Sequence, residues 1–168
     1  MKRSSTARWV VLAALATACT QQPATIPQPN ATEIQTALNA RLSSFANAIA
    51  TKDPVGVANM FTDDGTWIMP DASTFTGRAR IETAARDYFG TIQSFITDRL
   101  VIDRLIVVSS SEAVTFSHGD YTLTEAGKAP ARRVNPVADH WKKGSDGVWR
   151  VAYELNADGP AAAASTTR

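Results

Sequence analysis

Asp139 stands between Val137 and Trp141 on a segment, 132–143, that reads as a β-strand. Side chains alternate across a strand, so this carboxyl shares a face with two bulky apolar groups. Loss of water there disfavours the charged form and raises the pKa. The plainer role is a structural acid bonded to a backbone group or an arginine. His118 is the second candidate. It precedes Asp120 by two residues on a strand over 114–124, so the pair would share a face as an oriented general base. The apolar positions of that strand change parity, from Val114 and Phe116 to Tyr121 and Leu123. This predicts a bulge near Gly119 and leaves the direction of His118 open. His140 alternates with Asp139 and faces the other side. Trp67, Met69, Val137 and Trp141 are candidate walls of an apolar ligand cavity, or plain core. Arg132 and Arg133 read as a solvated rim, with an anion contact as the alternative.

The composition narrows the chemistry. One cysteine in 168 residues excludes a disulfide framework and a cysteine-rich zinc module. Two separated histidines leave little room for a metal site, so neither metal nor cofactor is expected. The chain has no Gly-rich phosphate loop, no dinucleotide fingerprint and no catalytic Ser or Cys motif. Hydride and phosphoryl transfer are therefore poor candidates. Lys2, Arg3 and Arg8 supply three of the 17 basic residues, leaving 14 against 16 acidic ones and a net charge of −2 beyond residue 18. No basic run remains, so nucleic acid is not an expected partner.

The elements that must position these residues follow from periodicity. Thr32 and Gln35 form a capping-box pattern. Ile34, Leu38, Leu42, Phe45 and Ile49 then make one face of a helix over 32–51. Asp53-Pro54 opens a second, short helix, which Asp63-Asp64-Gly65 breaks. Thr66–Met69 is a short strand closed by Pro70. A third helix spans about 79–89, buries Ile81, Ala85 and Tyr88 or Phe89, and stops at Gly90. Strands follow around 100–108, 114–124, 132–143 and 148–156, the last with Trp149, Val151, Tyr153 and Leu155 alternating as core. Helices first and an antiparallel meander afterwards imply an α+β fold, with the helices on one face of a curved sheet.

Three motifs carry a resemblance. Asp53-x-x-x-Val57-x-x-Met60-Phe61-Thr62-Asp63-Asp64-Gly65, Thr76-Gly77-Arg78-x-x-Ile81 and Asp146-Gly147-Val148-Trp149-Arg150-Val151 resemble the signatures of the nuclear transport factor two-like superfamily. The flavour is that of the SnoaL-like and SgcJ/EcaC-type domains. The resemblance covers roughly residues 32–156 and implies a cone-shaped fold of three N-terminal helices on a curved antiparallel sheet. It also implies a cavity between the two layers and a homodimer. In ketosteroid isomerases, which are similar in topology, a protonated aspartate in the strand matching Asp139 stabilises an enolate. The isomerase's general base falls on Met69 here, and Asp71 past Pro70 lies on a loop. The resemblance puts Asn156 at the cavity mouth, whereas plain alternation turns it outward. The expected function is binding of a small apolar or amphipathic molecule. The alternatives are acid–base catalysis on a carbonyl compound by Asp139 with His118, and a dimeric interaction module.

The ends frame the domain, taken as 31–157. Residues 1–18 read as an export signal, with a basic start and the apolar run Trp9–Leu15, too short to span a bilayer. Ala16-Thr17-Ala18-Cys19 resembles a bacterial lipobox, which implies lipid on Cys19 and a membrane-anchored envelope protein. In a Gram-negative host, Thr20 in place of aspartate implies the outer membrane. Residues 19–30 form a Pro- and Gln-rich tether, and 158–168 a frayed tail.

Overall fold

A computed structural model describes residues 29–157. The leader, Cys19, most of the tether and the tail lie outside the described residues. The elements are α1 (Ala31–Ala50), α2 (Pro54–Ala58), β1 (Phe61–Ile68), β2 (Thr74–Thr76), α3 (Arg78–Thr91), β3 (Ile92–Ser109), β4 (Glu112–Glu125), β5 (Ala131–Lys143) and β6 (Trp149–Asn156). The strands form one sheet in the order β2-β1-β6-β5-β4-β3. Every pairing is antiparallel except that of β1 with β6. The fold is α+β, as the helices-then-meander pattern requires.

The helices cover the concave face of the sheet. α1 buries Ile34, Leu38, Leu42 and Ile49, α2 buries Val57, and α3 buries Ile81, Ala85 and Phe89. They meet Phe61, Trp141 and Val151 from the sheet, all fully enclosed. The N-cap of α1 is Asn30 rather than Thr32. Its side-chain oxygen accepts from the Thr32 and Glu33 amides at 3.1 and 3.3 Å. Asparagine is as good a cap as threonine, and Ala31 extends the helix at no cost, so the capping box goes unused. Gly90 does not end α3, which runs on to Thr91.

Irregular pairing gives the sheet its curvature. β3 carries a register shift at four places along its 18 residues, and each shift adds twist. One falls between Thr97↔Tyr121 and Arg99↔Asp120, next to Gly119, which pairs with Leu100. The bulge expected near Gly119 is therefore on the neighbouring strand, and β4 itself pairs without interruption. Its inner face is Ala113, Thr115, Ser117 and Gly119, all buried. Val114 and Phe116 belong to the outer face, so no parity change occurs. Small inner residues had disguised which face was inside.

The second irregularity involves β1 and β6. Asp63-Asp64-Gly65 does not break the chain but lies within β1. Phe61 pairs with Val151 and Thr66 with Tyr153, so four β1 residues stand against Ala152 alone. Arg78 holds this loop-out, donating from Nε to the Phe61 carbonyl at 2.9 Å and pairing with Asp63 at 3.0 Å. On its other side Ala152 is skipped again, between Trp141↔Val151 and His140↔Tyr153. Trp149 and Val151 point inward before Ala152, and Glu154 and Asn156 point inward after it. Tyr153 and Leu155, expected in the core, are 56% and 52% exposed on the outer face.

Candidate active site

A cavity of about 770 Å³ opens between the helices and the concave sheet. That volume suits a drug-sized molecule. Leu42, Phe45, Ile49, Met60, Met69 and Phe75 line its apolar side. Its floor is a polar row across four neighbouring strands. Trp67 on β1 pairs in register with Glu154 on β6, Glu154 with Asp139 on β5, and Asp139 with Thr115 on β4. Register neighbours on one face have side chains in contact range, so the two carboxyls lie side by side.

Both acids are deeply buried, Asp139 at 3% and Glu154 at 6% exposure. Asp139 Oδ2 accepts from the Thr115 hydroxyl at 3.2 Å. That hydroxyl accepts from the Trp141 indole N–H at 2.9 Å, so its one hydrogen is free for Asp139. A proton on a neutral Asp139 then sits on Oδ1, which is buried and has no partner. Glu154 Oε1 accepts from the Asn156 amide at 2.8 Å. The same amide donates to the Ile68 carbonyl at 3.3 Å, while its oxygen accepts from Asn135 at 2.8 Å. The Trp67 indole N–H completes no hydrogen bond of normal geometry. Its dipole still favours the Glu154 anion, as the Asn156 amide does more strongly.

These surroundings separate the two protonation states. Burial pushes Glu154 up to about 7, against the pull of Asn156 and Trp67. Burial first, and the nearby charge of Glu154 second, hold Asp139 well above the usual carboxylate range. The two carboxyls are coupled and titrate as a pair, with Glu154 near 7 and Asp139 held above the usual carboxylate range. Two buried polar atoms of this row, Asp139 Oδ1 and Trp67 Nε1, complete no hydrogen bond of normal geometry. Each such atom costs about 1–3 kcal/mol.

The residues singled out in the sequence divide between the two faces. Asp139, Trp67, Met69, Val137, Trp141 and Asn156 all line the cavity. Asn156 is turned in by the irregularity at Ala152, against plain alternation. His118 is not in this group. It lies on the outer face, where Nδ1 meets Asp103 at 2.7 Å and Nε2 meets Arg99 at 3.0 Å. Asp120 does not orient it but pairs with Arg99 at 3.2 Å. An arginine can only donate, so Nε2 is the acceptor and Nδ1–H donates to Asp103. His140 also faces outward, with Nε2 2.7 Å from Glu112. Asp71 is fully exposed, and its hydrogen bonds to Ser73 hold its pKa low. Glu154 was not foreseen. The adjacent apolar pair Val151-Ala152, which breaks alternation, was the one signal pointing to it.

A concave sheet under three helices, with a cavity between them, defines the nuclear transport factor two-like class. Similar solved structures agree on the fold. A ketosteroid isomerase-like protein from Erwinia carotovora atroseptica matches with a TM-score of 0.66 at 19% identity, over 74% of this chain and 96% of that one. The hexachlorocyclohexane dehydrochlorinase LinA-type3 from Novosphingobium barchaimii gives 0.69 at 14%, over 82% and 94%. A nuclear transport factor 2 (NTF2-like) superfamily protein from Salmonella enterica serovar Typhimurium gives 0.66 at 14%, over 83% and 100%. The chain belongs to the SnoaL-like domain family, whose model matches residues 42–152. No curated protein matches it. Glu154 and Asn156 fall just past the matched segment.

Proposed function

We propose that the cavity binds a small amphipathic carbonyl compound and that Glu154 and Asp139 move a proton on it. The observation that supports this is the buried carboxyl pair on the cavity floor, one member raised to about 7 and the other also held above the usual carboxylate range. Environments that drive two acids apart assign them opposite roles. Glu154, ionised in part at pH 7, takes a proton from the carbon beside the carbonyl. The O–H of Asp139 and the N–H of Trp67 donate to the oxygen that gains charge. Glu154 then returns its proton elsewhere on the same molecule, so an isomerisation closes without any other reactant. Glu154 supplies the base that Met69 lacks, and His118 has no part in it.

The test is deuterium incorporation beside the carbonyl of cyclic ketones, from cyclohexanone to 2-tetralone, followed by NMR in deuterium oxide. The protein should accelerate exchange over buffer, and Glu154→Gln should lose about 100-fold or more. Equal exchange by both proteins would reduce the cavity to a binding module. A second reading concerns the outer face, where Phe116, Tyr153 and Leu155 are about half exposed. Such a patch marks an interaction surface, and a second copy of this chain, bringing the same apolar stripe, is its proposed partner.

A further inference from the structure

Resting on that reading of the cavity, we infer that its substrate carries an anionic group, held by Arg133 at the mouth, with the reacting carbonyl at the far end of an apolar body. Arg133 is the one lysine, arginine or histidine on the cavity wall among the described residues. Arg132, next to it on β5, is not on the cavity wall and comes within 3.9 Å of Asp120. Arg133 itself makes no ion pair and no side-chain hydrogen bond with any described residue. The acids near the mouth are already engaged. Glu125 is paired with Lys128, Asp120 with Arg99 and Arg132, and Asp71 accepts from the Ser73 amide at 2.9 Å.

The interior leaves an anion only one place to go. The carboxyl pair holds a single proton once Glu154 ionises, so the floor is negative and repels a second anion. Arg133 and Asp139 lie six residues apart on β5, about 20 Å along the strand. Arg133, Asn135, Val137 and Asp139 therefore form a track with a cation at one end and the acid pair at the other. A free guanidinium binds carboxylate, sulfonate or phosphate through paired donors. The substrate class that fits is an oxo acid whose carbonyl and anionic group are separated by a long apolar segment.

Two dyes with one skeleton test this without knowledge of the substrate. 8-Anilinonaphthalene-1-sulfonate is N-phenyl-1-naphthylamine with a sulfonate added. The protein should bind the sulfonate dye about tenfold more tightly or better. Arg133→Gln should bring it to the level of the neutral dye and leave the neutral dye unchanged. Arg132→Gln removes the same charge from the outer face and should alter neither. Dodecanoate should displace the neutral dye better than dodecanol, and that preference should vanish in Arg133→Gln. Tight binding of both dyes with no effect of Arg133→Gln, or an equal effect of Arg132→Gln, would overturn the anion inference and leave the cavity reading standing. Failure of the wild-type protein to bind either dye would overturn both.

Discussion

Glu154 stores its proton at a cost that depends on pH, and the sign follows from its surroundings. Its folded pKa of about 7 exceeds the ordinary value of 4.5 because burial favours the neutral acid. Below pH 4.5 both states are protonated and the fold keeps its full stability. Between 4.5 and 7 the unfolded chain ionises first, so stability falls as pH rises, by about 3 kcal/mol from this group. Asp139, shifted the same way, adds to the loss as pH rises above its ordinary range. The wild-type melting temperature should therefore decline from pH 5 to pH 8. Glu154→Gln should flatten that decline and be the more stable protein at pH 8, which a pH series of thermal melts checks. Thr115→Val should destabilise by about 1–3 kcal/mol, since it orphans the Trp141 N–H and leaves Asp139 with no donor. Denaturant titration reads that change. Asp139 was legible in the sequence because Val137 and Trp141 flank it at even spacing. Glu154 was not, because its direction depends on a non-repeating event two residues earlier.

That event belongs to the β1–β6 pair. Four β1 residues are accommodated opposite Ala152, and Gly65 closes the loop-out where backbones crowd. A Cβ there would lie 2.9 Å from the Phe61 Cβ and 3.0 Å from the Val151 carbonyl. Gly65→Ala should cost about 1–3 kcal/mol through overpacking and disturb the titration of Glu154, because it pushes on the strand that aims it. Gly90→Ala, where nothing lies within 4 Å, is the matched control and should be neutral or stabilising. Equal effects of the two substitutions would show that the β1–β6 irregularity does not position the acid. Helix positions and the order of strands along the chain were readable because each rests on local periodicity. The short β2 strand, the β3 register shifts and the inward turn of Glu154 were not, and that of Asn156 was implied by the family resemblance but not by alternation. They are set by pairing between strands distant in sequence, and a one-residue slip reverses every side chain beyond it.

At the scale of the molecule, the sheet presents two unlike faces. The inner one encloses the cavity and the carboxyl pair. The outer one combines Phe116, Tyr153 and Leu155 with the His118–Asp103 and His140–Glu112 pairs. If a second copy covers it, Phe116→Glu should convert a dimer to a monomer in light scattering without changing dye binding in the cavity. The proposed lipid on Cys19 has its own check: full-length protein made in a Gram-negative host should sediment with membranes, and Cys19→Ser should release it. Neither outcome touches the central claim, which is that the cavity floor holds two carboxyls with one proton between them near pH 7. Carbon-13 NMR of side-chain carboxyls, assigned through Asp139→Asn and Glu154→Gln, measures this directly. Glu154 should titrate near 7 and Asp139 well above the usual carboxylate range. Two carboxyls that both ionise near pH 4 would contradict it.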